Sequence, residues 1–206
     1  MKAIGLSQRV VVDDGTKERR DCLDQAWGKL ASELSFLPVP IPNVGVSAEN
    51  FIKEQNLSGI ILTGGNDIAS IPNARSTAPE RDTLESSLID YCLTHRLPLF
   101  AVCRGMQMVN LHLGGRVQSI KGHVATRHIV KNIVSSQSKQ VNSFHDYGMK
   151  EQDLSPSLRA IWLDEDRWVE SFCHGTAPIR AIMWHPEREV QYAKQDLDEI
   201  AGLFKL

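Results

Sequence analysis

LPLFAVCRGMQMVNLHLGG, residues Leu97 to Gly115, is the stretch whose reading decides the fold. Pro98 to Val102 is a short apolar run with the length and β-branched or aromatic content of a fully buried strand. Cys103, Arg104 and Gly105 follow at once. A helical pattern then places Met106, Val109, Leu111 and Leu113 as its apolar positions, and Gly114-Gly115 stops it. A cysteine between a buried strand and a helix sits on a sharp turn at the carboxyl edge of a sheet. The helix N-terminus lowers the thiol pKa there and offers backbone N–H groups to an oxyanion. The layout is a nucleophile elbow with Cys in place of Ser. On position alone, a small core thiol is the commoner outcome. Downstream residues have to tip the balance.

The bulk numbers bound the answer. A chain of 206 residues suits one α/β domain with a sizeable core. With 42% hydrophobic and 23% charged residues it has an ordinary globular composition, and a net charge of −2 argues against nucleic-acid binding by bulk electrostatics. No apolar run approaches a membrane span. The N-terminus, MKAIGLSQRVVVDD, lacks the apolar core of a signal peptide, so a cytoplasmic location is expected. Cys22, Cys92, Cys103 and Cys173 lie far apart without a C-x-x-C pair, and are expected as free thiols.

Outward from the elbow, strand and helix patterns alternate. Ala3–Leu6 reads as a first strand, Lys17–Leu34 as a helix with Arg19 and Arg20 in its first turn, and Phe36–Ile41 as a second strand. A short helix is expected over Ala48–Gln55. Gly59–Thr63 is a third, buried strand running into Gly64-Gly65, a pair that permits a tight turn and close backbone approach to a ligand. Asp82–His95 is an amphipathic helix leading to the elbow strand. Four alternations predict a parallel sheet with helices on both faces. After Gly115 the rhythm changes to short β-type segments (128–134, 140–144, 158–163, 168–173, 179–183), expected to extend the sheet in antiparallel or mixed fashion. A helix over 191–204 closes the chain.

A thiol nucleophile needs a base, and the base an orienting group. His185 ends a strand, as Cys103 does, so both can lie on one carboxyl edge. Glu187 follows at i+2; in extended backbone it points the same way as His185. His145 ends another strand but lacks a carboxylate at i+2, which favours a substrate-side role. Among seven histidines, His112, His123 and His128 are the nearest cluster. Their spacings of 11 and 5 come without thiolate or carboxylate partners at ligand spacing, so no metal or other cofactor is expected.

Five motifs in order, Leu62-Thr63-Gly64-Gly65, Arg81-Asp82 with Glu85, Cys103-Arg104-Gly105-Met106-Gln107, Asn142-Ser143-Phe144-His145 and Trp184-His185-Pro186-Glu187, resemble the class I glutamine amidotransferase-like superfamily. The Arg after the cysteine and the Arg-Asp-x-x-Glu helix are similar to its γ-glutamyl hydrolase branch. The resemblance implies a flavodoxin-like α/β/α sandwich with a central, mostly parallel sheet. It implies Cys103 as nucleophile, His185 as base and acid, and Glu187 as orienter. By the same carry-over, backbone N–H groups of Gly65 and Arg104 form the oxyanion hole. Gln107 and the segment His145, Asp146 and Tyr147 hold the α-amino and α-carboxylate groups of a small-molecule γ-glutamyl substrate. Release of the amine and hydrolysis of a thioester then give glutamate.

Two departures qualify the resemblance: the chain lacks the longer pocket loops of polyamine-type hydrolases, and its Glu18–Trp27 segment is distinctive. With Arg9, that segment is similar to small bacterial members of the branch that cleave a cytidine-diphosphate amidate in capsule phosphoramidate synthesis. Arg9, Arg19 and Arg20, if they face the carboxyl edge, suit phosphates. The alternatives are a glutaminase subunit feeding ammonia to a partner synthetase and a non-catalytic binding module; either a monomer or a homodimer is compatible with the pattern.

Overall fold

A computed structural model describes all 206 residues. The parallel half of the molecule is built from β1 (Ala3–Leu6), β4 (Leu37–Pro40), β5 (Gly59–Leu62) and β6 (Leu99–Val102), with α1 (Gln25–Glu33), α2 (Ala48–Glu54), α3 (Pro79–His95) and α4 (Arg104–His112) between or after them. Between β1 and α1 lie two further strands, β2 (Arg9–Val12) and β3 (Arg19–Cys22). The C-terminal half adds β7 (Gln118–Ser119), β8 (Val124–Asn132), β9 (Ser138–Phe144), β10 (Tyr147–Gly148), β11 (Leu158–Asp164), β12 (Val169–His174), β13 (Ile179–Ile182) and α5 (Lys194–Phe204).

Nine strands form one sheet in the order β4-β1-β5-β6-β13-β12-β11-β8-β9. The first five are mutually parallel and the remainder antiparallel. Every residue of β5 and β6 is buried, as expected where both faces are covered. α2, α3 and α4 pack as one layer, while α1 lies on β4 and α5 on β6. Pro38 and Pro40 are tolerated because β4 is an edge strand. A single cluster of 43 buried apolar residues runs through the sheet. The flavodoxin-like α/β/α architecture with an antiparallel extension is therefore as the sequence leads one to expect. β13 returns to pair in parallel with β6, register Ile182 to Val102, so His185 and Cys103 emerge from neighbouring strand ends.

One expectation is overturned. The helix predicted over Lys17–Leu34 starts only at Gln25, where the Asp24 carboxylate caps it by accepting the Ala26 N–H at 3.0 Å. Residues 9–22 instead form an antiparallel hairpin, β2 on β3. Its signals are legible: the β-branched run Val10-Val11-Val12 and the turn residues Asp13-Asp14-Gly15-Thr16. The Asp13 carboxylate accepts the N–H groups of Gly15 and Thr16 at 3.0 and 2.8 Å. Arg19 and Arg20 thus stand on an exposed strand and not in the first turn of a helix.

Candidate active site

Cys103 takes φ 52° and ψ −107°, a strained backbone for a residue with a Cβ, between the end of β6 and the first turn of α4. Two contacts hold it there: its N–H donates to Ile182 O at 2.8 Å, and its carbonyl accepts the Gln107 N–H at 3.1 Å. Gly105 is required by packing. A Cβ there would lie 2.5 Å from Leu62 O, so only glycine lets α4 press onto β5 and aim the turn. The sulfur is almost entirely shielded, at 6% residue exposure.

His185 faces it from the adjacent strand end. Asn142 on β9 clamps the histidine backbone from both sides, accepting the His185 N–H and donating to the His185 carbonyl, each at 2.8 Å. Glu187 Oε1 lies 2.7 Å from His185 Nδ1, with both side chains 2% exposed. The carboxylate can only accept, so Nδ1 carries the proton and Nε2 is free for the sulfur. The expected pairing is present, but extended backbone does not create it: Pro186–Arg188 is a single 3₁₀ turn, and Pro186 starts it. Burial raises the Cys103 thiol pKa, but the charge of His185 and a hydrogen bond from it outweigh that, and the net direction is down. Burial likewise opposes the His185 charge. The Cys103 thiolate and Glu187 together lift its pKa to about 9. This arrangement favours a thiolate–imidazolium pair at neutral pH.

Opposite the elbow, Gly64 and Gly65 leave β5. A Cβ on Gly64 would come within 2.6 Å of His185 Cε1, and Gly65 adopts φ +86°. The fully buried Arg81 fixes the turn. Its guanidinium donates to the carbonyls of Thr63, Gly64 and Gly65 at 2.6, 3.0 and 2.8 Å and to Glu85 Oε1 at 2.8 Å. With its carbonyl so engaged, the Gly65 N–H donates to no protein acceptor. The Arg104 N–H opens α4 and has no partner within the helix. The Arg104 side chain turns away and pairs with Glu85 and Asp82, tying the elbow helix to α3. Burial, and next the charge of Arg104, lower the Arg81 pKa to about 10, which leaves it protonated at neutral pH. Arg81 and Glu85 stand in the sequence as motif residues; their task of fixing the glycine turn becomes visible only in three dimensions.

The other expected residues divide into two groups. Gln107 Nε2 donates to Tyr147 O at 3.0 Å, and His145 Nδ1 donates to the same carbonyl at 2.9 Å, so Gln107, His145 and Tyr147 meet in one wall; Asp146 is exposed beside them. Arg9 reaches over the glycine turn, where a Cβ on Gly65 would lie 3.0 Å from Arg9 Nε. Arg19 and Arg20 do not join it. Arg19 Nε donates to Glu80 at 2.8 Å, and Arg20 pairs with Glu18 and Asp13, all on the solvent side.

His145 does have a carboxylate, one that sequence neighbours could not reveal: Glu170 on β12, 3.5 Å from Nε2. Burial opposes the His145 charge, but Glu170 prevails and raises its pKa. Of the three histidines weighed for a metal, His112 is remote from the others and pairs with Asp90, whereas His123 and His128 converge on Glu170.

The sequence matches the model of the peptidase C26 family over residues 3–129 and 116–187. It is 31% identical over 190 residues to the gamma-glutamyl-CDP-amidate hydrolase of Campylobacter jejuni, covering 90% of each chain. It is 26% identical over 142 residues to a subunit of the glutamine-hydrolysing GMP synthase of Thermoplasma volcanium, covering 66% of each. A solved glutamine amidotransferase of Thermotoga maritima superposes with a TM-score of 0.66 at 16% identity, covering 99% of this chain and 82% of that one; this likeness speaks for the fold alone. With matches spanning both the elbow and the His-Pro-Glu turn, the chain belongs to the peptidase C26 family of class I glutamine amidotransferase-like proteins.

Proposed function

We propose that this protein is a stand-alone amidohydrolase that cleaves a γ-glutamyl amide through a thioester on Cys103. The observation that carries the reading is His185 held between the Cys103 sulfur and Glu187. The thiolate attacks the γ-carbonyl carbon, and the oxyanion is received by the N–H groups of Gly65 and Arg104. His185 Nε2 then gives its proton to the leaving nitrogen as the C–N bond breaks, leaving a γ-glutamyl thioester. The now neutral imidazole takes a proton from water, whose oxygen displaces the sulfur and releases glutamate. Gln107 and the His145–Tyr147 segment, Asp146 included, hold the α-amino and α-carboxylate groups.

For the amine half, we propose a nucleotide-linked amidate. Support comes from the activity named for the Campylobacter relative and from the cations around the mouth. Arg9 lies against Gly65 with no acidic partner of its own. A cavity of about 710 Å³ beside Tyr147 carries Arg75 and Lys121 on its walls, together with the carboxylates Asp67 and Asp146; its volume lies within the usual range of ligand pockets. Arg19 and Arg20, committed to Glu80 and to Glu18 and Asp13 on the solvent side, take no part in this reading. The GMP synthase relative keeps a second reading in play, a glutaminase that delivers ammonia to a partner. One assay separates the two. The isolated chain is given a panel of γ-glutamyl amides, including nucleotide-linked, polyamine and amino-acid amines, and glutamate release is measured. Turnover without a partner, highest on the nucleotide-linked compound, is expected. Release only from glutamine, and only with a partner present, contradicts the proposal.

A further inference from the structure

Away from the sulfur, three chain-distant segments of the antiparallel extension bring four polar side chains to one buried point. His123 precedes β8, His128 lies within it, His145 follows β9, and Glu170 stands on β12. The reaction proposed above uses none of His123, His128 or Glu170. Glu170 is 1% exposed, yet neither of its oxygens makes a well-formed hydrogen bond, and both ring nitrogens of His128 lack one too. Held only by histidine approaches of 3.3–3.8 Å, this buried carboxylate is poorly satisfied, and a cation seated between it and the rings would complete the cluster.

The spacing says what kind of cation fits. Zinc–nitrogen bonds of about 2.0–2.1 Å in a tetrahedron put neighbouring donor atoms roughly 3.3–3.4 Å apart. Here His123 Nδ1 and His145 Nε2 are 3.3 Å apart, and His128 Nε2 and Glu170 Oε2 also 3.3 Å. His145 Nε2 to Glu170 Oε1 is 3.5 Å and His123 Nδ1 to Glu170 Oε1 is 3.8 Å. The donor atoms of His123, His128 and Glu170 all lie within 4.8 Å of one another. The outer faces of two rings are engaged as a ligating imidazole requires. His145 Nδ1 donates to Tyr147 O, and His123 Nε2 stands 3.4 Å from Asp164 Oδ2. Both rings therefore turn an inner nitrogen towards the carboxylate. Imidazole donors in this number suit zinc-like ions and not magnesium or calcium, which take oxygen. The partly exposed His128 offers a way in from solvent.

We propose that His123, His128 and Glu170, with His145 as the fourth donor, bind one zinc-class divalent cation. The ion is structural. It ties β8, β9 and β12 together and fixes His145, and through the shared Tyr147 carbonyl it steadies Gln107. The sulfur chemistry does not pass through it.

The test uses Cys103→Ala, so that the Cys103–His185 pair cannot hold metal, after treatment with a chelator. Titration with Co²⁺ should give one equivalent bound, with the intense visible bands of a tetrahedral site. The thermal midpoint should rise by about 5–10 °C when the free ion reaches roughly 100 times Kd. His123→Gln and His128→Gln, made in that background, should each weaken binding at least about 100-fold, since even outer-sphere partners are worth roughly 10- to 100-fold. X-ray absorption on the zinc-loaded Cys103→Ala chain, whose cluster residues are all native, should show nitrogen and oxygen neighbours and no sulfur. Absence of stoichiometric binding, undiminished binding in both Gln variants, or a sulfur shell overturns the proposal.

Discussion

Replacing Glu187 by Gln keeps the shape of the His185 partner and removes its charge. In the native chain the carboxylate lies 2.7 Å from His185 Nδ1 and both side chains are 2% exposed, so solvent does little to screen the pair. A hydrogen bond to a charged group is worth about 1.5–3 kcal/mol. Divided by about 1.36 kcal/mol per pKa unit, that lowers the His185 pKa by roughly 1–2 units. The sign follows from which form the carboxylate supports. Glu187 favours the imidazolium, so its loss moves the alkaline limb of kcat/KM from near pH 9 to lower pH. The acid limb, set by the thiol that the imidazolium depresses, moves up. The plateau narrows from both sides, and kcat/KM within it falls roughly 10- to 150-fold. The assay is glutamate release across pH 5 to 10 for both proteins, with circular dichroism to check folding. A variant with the native rate and the native alkaline limb refutes the reasoning, because Glu187 would then do no more than fill space.

Other perturbations probe neighbouring parts of the account. Gly64→Ala places a Cβ only 2.6 Å from His185 Cε1; a displaced imidazole predicts roughly a 100-fold loss of kcat with an ordinary melting curve, read by steady-state kinetics. Arg81→Met breaks the buried pair with Glu85 and frees the glycine turn. With Arg104 still on Glu85, the loss should sit near the low end for a buried pair, about 3 kcal/mol, which calorimetry should register as a midpoint about 6–12 °C lower. Arg9→Ala should raise KM roughly 10-fold for a phosphate-bearing γ-glutamyl substrate and leave simple amides unchanged. Arg19→Ala, whose guanidinium is paired with Glu80, should change neither; equal effects of the two variants count against the phosphate role of Arg9.

The parallel half is legible because its signals are local. Buried apolar runs such as Ile60–Leu62 and Leu99–Val102 read as covered strands, and the glycines after them mark turns. Gly105 is legible as part of the elbow, but its reason, the Leu62 carbonyl 2.5 Å away, lies in packing between elements. The hairpin over residues 9–22 hides because Cys22, Leu23, Ala26, Trp27 and Leu30 fit a helical period. The Asp-Gly turn and the Asp24 cap are the better signals. His145 shows the limit from another side: its carboxylate, Glu170, comes from a strand 25 positions on. Asn142 is a similar case, reading as strand yet clamping His185 across 43 positions. Long-range polar pairings of this kind leave no periodic trace in a sequence.

The central claim is that Cys103 carries the γ-glutamyl group. Its most direct test is rapid acid quench of the isolated chain with a nucleotide-linked γ-glutamyl amide, followed by mass spectrometry of the peptide containing Cys103. The account predicts one γ-glutamyl group in alkali-labile linkage on that cysteine, a burst of released amine, and loss of both in Cys103→Ala. Steady glutamate release with no adduct on Cys103, persisting in Cys103→Ala, contradicts it.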